Sequence, residues 1–355
     1  MNRSFRLGQN SKIRTAIIGS GSLGRNRIVQ ILSEFKNTEI PVICEPSYEA
    51  YTKVKEIFKS KDLPIPPNEP DLDRLTHEYK HELDAAYIAT PHSFHYIQAK
   101  KCLEAGLDVL LEKPMVKTLE EAELLMETRD LTKGLLVVAF QGSLSPHIKT
   151  ASSILRSGKL GDIHNISATV WQNWVSLAEG TWRLDPEKSG GGFLFDTGAH
   201  VLNTVADLAG EDFFEVSAFF NNMNQSVEVN AVIIARLESG TLVTINACGD
   251  TAPTCASDIR VFCTNGALRT GAWGESLEIL KNQPSNWQLT GISRDQTWKQ
   301  VEVPESRGVW DEFLKIREGI TSNSSPPELG LRMIKLWDAI TLSASQNGKP
   351  VRISR

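Results

Sequence analysis

The chain has 355 residues, of which 41% are hydrophobic and 23% charged, a composition typical of a soluble globular protein with a sizeable core. A prior of about 150 residues per domain predicts two or three domains. The formal net charge of −5 provides no basic surplus for binding nucleic acid or an anionic membrane. No apolar run approaches the roughly 20 residues of a membrane-spanning helix, and the polar N-terminus lacks the apolar stretch of a secretory signal. We therefore expect a cytoplasmic protein that binds neither nucleic acid nor membrane.

The five cysteines give no indication of a disulfide framework or a structural metal site. Their number is odd, and no two of them form a Cys-x-x-Cys pair. We expect reduced thiols, as in cytoplasmic proteins, and no metal ion.

Residues 13–140 alternate short apolar runs with amphipathic segments. The predicted strands are 15–18, 41–44, 85–89 and 108–111. The predicted helices are 28–35, 51–60, 94–105 and 119–131, the last with a capping box formed by Thr118 and Glu121. Strands that alternate with helices are typical of a doubly wound parallel sheet with helices on both faces. Residues 1–12 are predicted to be a flexible tail ahead of this α/β domain.

Residues 141–355 have a different pattern, in which alternating residues and turn signals replace the strand–helix rhythm. The predicted strands are 166–171, 214–220, 227–237, 242–247, 259–263 and 277–281. Ser239-Gly240 and Asn265-Gly266 are predicted hairpin turns, the second of type I′. We therefore expect an α+β domain with a large open antiparallel sheet. A terminal helix over 328–346 either belongs to this domain or packs back on the first.

Gly19, Gly21 and Gly24 have the G-x-G-x-x-G spacing between a predicted strand and a predicted helix. Main-chain N–H groups in such a turn can reach a dinucleotide pyrophosphate. Glu45 closes the second strand, where a carboxylate can bind the adenosine ribose hydroxyls, which favours NAD over NADP. NADP stays an alternative, because three residues nearby could accept a 2′-phosphate: Arg25, Ser47 and Tyr48. The turn could also serve only to pack the helix on the sheet.

Two further groups of residues are candidates for chemistry. Lys113 follows a strand of the first domain, where parallel sheets form their ligand crevice, although a lone lysine there is usually a surface residue. At helical spacing, Asp196, His200, Asn203 and Asp207 form one stripe opposite an apolar face. A histidine one turn from a carboxylate is a plausible general base, whereas the alternative is a solvated face with Asp196 as N-cap.

The order of these motifs resembles that of the glucose-fructose oxidoreductase / inositol dehydrogenase / MocA (Gfo/Idh/MocA) family over residues 13–352. The motifs are Gly19-x-Gly21-x-x-Gly24, Ala89-Thr-Pro91 with His95, Glu112-Lys113-Pro114, Trp182-Arg183 and Gly190-Gly-Gly-x-x-x-Asp196-x-Gly198-x-His200. The resemblance implies an NAD(P)-binding Rossmann domain at 13–140. It also implies a substrate and oligomerisation domain at 141–355, whose sheet joins the subunits of a dimer or tetramer.

The resemblance also implies roles for individual residues. Lys113 would orient and polarise the reacting oxygen, His200 would act as acid and base, and Asp196 would position the histidine or the substrate. Trp182 and Arg183 would help these three to bind the substrate, with Trp171, Asn173 and Trp174 as further candidates for the lining. The cofactor-binding set is Gly19, Gly21, Ser22, Leu23, Gly24, Glu45, Thr90, Pro91, His95, Glu112 and Lys113.

The sequence departs from the family pattern at two places. Many members have an acidic residue where Asn203 stands, and many have an arginine in the region of residues 142–145 (Gly-Ser-Leu-Ser). We expect these departures to affect substrate contacts.

The function that the sequence predicts is hydride transfer between a nicotinamide cofactor and a secondary alcohol of a sugar, inositol or related polyol. Two alternatives remain open. One is a glycosidase that uses NAD for transient oxidation and elimination, and the other is a non-catalytic NAD(P)-binding regulator.

Overall fold

The computed structural model describes residues 12–252, 254–281 and 297–354, so the predicted N-terminal tail lies outside the described residues except for Lys12. The chain divides into two compact units. The first unit contains the residues up to Ala139 together with Phe313–Pro327, and the second contains Phe140–Glu312 and Glu328–Arg355. None of the described helices combines the length and the apolarity that crossing a bilayer requires.

The first unit is built on a parallel sheet of five strands in the order β2-β1-β3-β4-β5. The strands are β1 (Ile13–Ile18), β2 (Thr38–Cys44), β3 (Ala85–Ile88), β4 (Asp108–Leu111) and β5 (Leu136–Val138). The helices are α1 (Ser22–Glu34), α2 (Tyr48–Ser60), α3 (Leu72–Glu78), α4 (His95–Glu104) and α5 (Leu119–Thr132). The four residues of β3 are all buried, as expected for a strand covered on both faces. The predicted Rossmann fold is confirmed.

Local sequence explains where these helices begin. The hydroxyl of Ser47 accepts the backbone N–H of Ala50 at the start of α2. At the start of α5, the Thr118 hydroxyl accepts the N–H of Glu121, while the Glu121 carboxylate accepts the N–H of Lys117. The predicted capping signal is therefore present, with the carboxylate reaching one residue further back than in the usual capping box.

The second unit is built on a sheet of nine strands in the order β13-β12-β11-β10-β6-β9-β8-β7-β14. The strands are β6 (Ile163–Gln172), β7 (Phe213–Asn221), β8 (Asn230–Leu237), β9 (Leu242–Cys248), β10 (Cys255–Cys263), β11 (Gly266–Thr270), β12 (Leu277–Lys281), β13 (Lys299–Gln300) and β14 (Val351–Arg352). Along β8 buried and exposed residues alternate, which shows that the sheet covers the core with one face only. The expected antiparallel sheet is confirmed for all pairs except β6 and β9, which are parallel.

The remaining helices are α6 (Gln141–Leu144), α7 (Pro146–Arg156), α8 (Trp174–Ala178), α9 (Pro186–Ser189), α10 (Phe193–Asp196), α11 (Ala199–Ala209), α12 (Val309–Arg317) and α13 (Pro327–Ser345). Residues 328–355, which include nearly all of α13, belong to the second unit. The segment that joins the first unit is instead Phe313–Pro327, which contains the second half of α12 and the loop before α13. There the carbonyl of Ser325 accepts the N–H of Val138 at 2.9 Å, and the Asn323 side chain donates to the carbonyl of Leu136.

One turn prediction is wrong. The hairpin between β10 and β11 pairs Cys263 with Gly266, so the loop residues are Thr264 and Asn265. Neither has the positive φ of a type I′ turn. Gly266 lies instead in β11, where a Cβ would stand 2.3 Å from the carbonyl oxygen of Leu280 on β12. The glycine therefore permits close strand packing rather than the turn.

Candidate functional site

The predicted cofactor residues of the first unit all follow the carboxyl ends of neighbouring strands. The glycine turn follows β1, Glu45 follows β2, Thr90 and Pro91 come after β3, and Glu112 and Lys113 follow β4. Because these four strands are adjacent and parallel, the segments lie along one edge of the sheet. The chain order reverses beside β1, and such a switch point is where doubly wound sheets bind their ligands.

The three positions of the turn differ in how strongly the structure requires a glycine. Gly19 has φ +84°, and a Cβ there would lie 2.6 Å from the carbonyl oxygen of Ala89. A Cβ on Gly24 would lie 2.1 Å from the carbonyl oxygen of Gly19, so this glycine lets α1 approach β1. A Cβ on Gly21 would meet nothing within 4 Å. The turn is therefore closed by the protein at two glycines and open at the third.

The open side lies at the N-terminus of α1. Gly21 is the N-cap of this helix, no described side chain caps it, and its first turn, with Ser22 and Leu23, contains no acidic residue. The first N–H groups of a helix need acceptors and attract anions. An open glycine beside these N–H groups fits a pyrophosphate, so the residues present agree with a dinucleotide cofactor.

Glu45 is 7% exposed, and its carboxylate binds both the glycine turn and the segment that follows β2. One oxygen accepts the N–H and the hydroxyl of Ser20, at 2.7 and 3.0 Å, and the other accepts the N–H of Ser47 at 2.8 Å. A carboxylate has about four lone-pair positions, and the described residues use three of them. Glu45 thus fixes the glycine turn relative to the end of β2 and retains one acceptor position. Its contact with the ribose stays a prediction.

His95 supports the loops of this edge from beneath. Its fully buried ring lies between two carbonyl oxygens, with Nδ1 2.8 Å from that of Pro114 and Nε2 3.0 Å from that of Thr90. Burial lowers the pKa of this imidazole to about 4, so the ring is neutral near pH 7 and donates from one nitrogen. His95 therefore connects the loop after β3 to the loop that carries Lys113.

Glu112 contacts a buried side chain of the neighbouring strand. It is buried, and one carboxylate oxygen accepts the hydroxyl of Tyr87 on β3 at 2.6 Å. Burial, together with this carboxylate, raises the pKa of Tyr87 well above its usual value. The contact indicates a packing role between β3 and β4, and direct cofactor binding by Glu112 stays a prediction.

In the second unit, the predicted helical stripe is wrong in one respect. Asp196 is the last residue of α10, and α11 begins only at Ala199, so Asp196 and His200 do not share a helix. The alternative of a solvated face is also wrong, because His200 is 6% and Asn203 3% exposed. The break falls at Thr197 and Gly198, and the carboxylate before it and the imidazole after it are both buried.

Asp196 is held by two donors. Its Oδ2 atom accepts the indole N–H of Trp174 and the Nε–H of Arg183, each at 3.0 Å. The guanidinium of Arg183 also lies 4.6 Å from the ring centroid of the half-buried Trp182. Trp174, Trp182, Arg183 and Asp196, all named from the sequence, are therefore brought together.

His200 contacts aromatic rings that sequence reasoning missed. The Phe140 ring stands edge-on at 6.4 Å, and the Trp273 ring lies at 5.7 Å, measured between centroids. Phe140 follows β5, and Trp273 follows β11. No local motif marks either residue, because each reaches His200 from a distant part of the chain.

The two departures from the family pattern form a single network. The amide of Asn203 donates to the Ser143 hydroxyl at 2.7 Å and to the Asp207 carboxylate at 3.1 Å. Arg332 on α13 donates to Asn203 and to Asp207, at 2.6 Å each. The only sequence signal for Arg332 is a charge among the apolar positions of the terminal helix. Asn203 is therefore hydrogen-bonded both to Ser143 and to Arg332 of α13.

Comparisons with known proteins cover both units. A model described as the oxidoreductase family, NAD-binding Rossmann fold, matches residues 13–140, and one for the GFO/IDH/MocA C-terminal domain matches residues 148–269. The Saccharomyces cerevisiae protein YMR315W, described as uncharacterized, is 26% identical over 97% of this chain and 99% of its own length. The scyllo-inositol 2-dehydrogenase (NADP+) IolW of Bacillus subtilis is 24% identical over 94% of each chain. The fold is similar to that of an inositol dehydrogenase homolog from Azotobacter vinelandii complexed with NAD+, with a TM-score of 0.78 at 19% identity, covering 99% of this chain and 100% of the other.

Proposed function

Since the chain belongs to the Gfo/Idh/MocA family of NAD-binding oxidoreductases, we propose that it transfers a hydride between NAD(P) and a secondary alcohol of a sugar, inositol or related polyol. The observation that carries the proposal is the glycine turn, which is open only at Gly21 and faces the uncapped N-terminus of α1. That combination accommodates the pyrophosphate of a dinucleotide. NAD is the first choice of cofactor because of Glu45, with NADP as the alternative.

The proposed chemistry assigns one task to each polar side chain. The nicotinamide ring supplies a hydride acceptor for the alcohol carbon. His200 accepts the hydroxyl proton in oxidation and returns it in reduction. The ammonium of Lys113 stabilises negative charge on the reacting oxygen.

The surroundings of Asp196 support a polyhydroxylated substrate. Its Oδ2 atom already accepts from Trp174 and Arg183, so the arrangement presents an oriented carboxylate and a guanidinium beside an indole face. Aromatic faces pack against sugar C–H groups, while charged groups bind hydroxyls. Trp182 and Arg183 are therefore proposed to bind the substrate together with Asp196. The named substrate of IolW is an inositol, which belongs to the same chemical class.

Turnover with a panel of sugars and inositols, followed at 340 nm with NAD and NADP, tests the function. Lys113→Met and His200→Asn should each lower kcat by about a thousandfold, because each removes transition-state stabilisation, while the cofactor Kd changes little. Lys117→Met, the same change four residues further on, is the control and should be neutral. Near-wild-type turnover in both variants would refute the assigned roles.

The same assays separate the two alternatives. A regulator would bind the cofactor and turn over none of the panel, with or without Lys113 and His200. A glycosidase would release an aglycone from a glycoside and show no net reduction of the cofactor. Either result would replace the proposed dehydrogenase.

We further propose that the outer face of the large sheet joins two copies of the chain. Large apolar side chains on this face are 49–58% exposed, and these are Phe219, Val232, Ile234 and Leu242. They lie on adjacent strands, with Phe219 opposite Val232 in the register of β7 and β8. Contiguous exposed apolar surface of this kind marks protein interfaces. Ile234→Lys should shift the mass in solution measured by light scattering to that of a smaller species, whereas an unchanged mass would argue against this interface.

A further inference from the structure

Four consecutive backbone N–H groups of the second unit all donate to one residue, Glu228. The Phe193 N–H donates to its carbonyl at 2.9 Å. The Gly192 N–H donates to carboxylate oxygen Oε2 at 2.6 Å, and those of Leu194 and Phe195 donate to Oε1 at 3.1 and 3.2 Å. Glu228 lies just before β8, so a residue distant in sequence caps the short helix α10.

The fit between Glu228 and this segment depends on a glycine. A Cβ on Gly192 would lie 1.9 Å from the carbonyl oxygen of Glu228, so any larger residue would push the two backbones apart. Glu228 is 5% exposed, and three donors occupy its carboxylate. Its environment is that of a buried anchor rather than of a group that exchanges protons with a substrate.

Two chains of contacts lead from this anchor to the carboxylate of Asp196. Asp196 directly follows the anchored residues, and its N–H donates to the carbonyl of Gly192. On the other side, the carbonyl of Val229, next to Glu228, accepts the N–H of Gly249, and the carbonyl of Gly249 accepts the N–H of Trp174. The indole of Trp174 then donates to Asp196. The anchor therefore fixes both the carboxylate and one of its donors.

We infer that Glu228 is a positioning residue, whose carboxylate holds the Gly192–Phe195 segment so that Asp196 meets Trp174 and Arg183. The consequence for catalysis rests on the proposed function, whereas the consequence for the segment does not. If the anchor loosens, Asp196 loses its fixed orientation, and a displacement of about 1 Å in a site can lower turnover by about a hundredfold.

The test compares Glu228→Gln with Glu238→Gln, which makes the same change at an exposed position just beyond the other end of β8. A glutamine has one acceptor oxygen and one NH₂ group, so at least one of the N–H groups of Gly192, Leu194 and Phe195 faces a donor. Hydrogen–deuterium exchange resolved to single amides should show at least tenfold faster exchange at one or more of these three. Amides within β8 should exchange as in the wild type. A shorter acid, Glu228→Asp, should give an intermediate result.

Turnover provides the second readout. In Glu228→Gln, kcat should fall at least tenfold, while KM for the cofactor changes less than twofold, and Glu238→Gln should change neither. Unchanged exchange at all three amides would overturn the inference whatever the activity. Faster exchange with unchanged kcat would overturn the catalytic consequence. If the wild type turns over no substrate, the proposed function fails, and the exchange data alone decide whether Glu228 holds the segment.

Discussion

The two units each contain a glycine-rich segment that leads into a helix, and the two segments satisfy their backbone N–H groups in opposite ways. In the first unit, the turn before α1 has open space at Gly21 and no described side-chain cap. In the second unit, the run before α10 has no space at Gly192, and Glu228 accepts every N–H from Gly192 to Phe195. The first segment is open to an external anion, whereas the protein supplies the acceptors for the second.

This difference shows that glycine spacing alone does not identify a ligand site. A glycine replaces a larger residue either because a ligand approaches the backbone or because another part of the chain does. The distinction depends on what lies where a Cβ would be. At Gly21 that position is empty, and at Gly192 it is occupied by the carbonyl of Glu228.

The largest expected effect comes from placing the same methyl group in each segment. Gly192→Ala should lower the free energy of unfolding by about 4 kcal/mol, because overpacking separates the backbones and weakens the bonds to Glu228. Gly21→Ala should leave that free energy nearly unchanged, since its φ of −59° suits alanine and the Cβ meets no protein atom. It should instead raise the Kd for NAD at least tenfold. Denaturant unfolding and cofactor titration measure the two quantities.

Each variant is the control for the other, because both substitutions add one methyl group to a glycine. Equal losses of stability would contradict the view that only the second segment is closed by the protein. Unchanged NAD affinity in Gly21→Ala would mean that the space beside α1 is not where the pyrophosphate binds.

A smaller effect should appear in the pH dependence of stability. Burial raises the pKa of Glu228 from 4.5 to about 7, although hydrogen bonds from backbone N–H groups oppose the shift. Between these values the folded state holds a proton that the unfolded state releases, so the stability contributed by Glu228 falls as pH rises from about 4.5 to 7. The loss is about 3 kcal/mol and is complete above pH 7. Glu228→Gln should lack this component.

Unfolding of both proteins by denaturant at intervals from pH 4.5 to 8 provides the measurement. The wild type minus Glu228→Gln difference isolates Glu228, since the other titrating groups are common to the two. A difference that stays constant, or one that grows in favour of the wild type as pH rises, would show that the carboxylate is not buried at a net cost.

Much of the first unit could be predicted from sequence because its signals are local. Strands such as β3 and β4 are short apolar runs between helices, and Thr118 with Glu121 marks the start of α5. The observed boundaries differ from the predicted ones by a few residues where polar residues extend a strand, as at the start of β2. The helix α3 was missed because it is only seven residues long and lies between proline-rich and polar segments.

The second unit was harder to predict because its site is assembled from distant segments. The sequence placed Trp174, Arg183 and Asp196 among the candidates, but nothing near His200 in the chain indicates Phe140 or Trp273. Helical spacing suggested one continuous helix through Asp196, because periodicity alone does not register the break at Thr197 and Gly198. In the sequence, Glu228 looks like an ordinary polar residue at the start of an alternating strand. Its role depends on the backbone of residues 192–195, which are distant in sequence and contact it only in the folded protein.

The smallest effect concerns the remaining acceptor position at the open segment. Glu45→Ala should raise the Kd for NAD about tenfold, because the carboxylate is expected to bind the ribose hydroxyls, and should affect NADP less. The same change also removes the acceptor of the Ser20 and Ser47 N–H groups. This loosening of the turn has to be distinguished from the loss of a contact with the ligand. Titration of the variant with both cofactors measures the ratio of the two affinities.

Asn68→Ala separates these two consequences of losing Glu45. Asn68 binds the backbone N–H and carbonyl of Glu45, so its removal loosens the same end of β2 while leaving the carboxylate in place. A general loosening should weaken NAD and NADP equally, and the control should show that pattern. Selectivity for NAD that survives Glu45→Ala would contradict the ribose assignment, and the carboxylate would then serve only to fix the glycine turn, as Glu228 fixes the segment of the second unit.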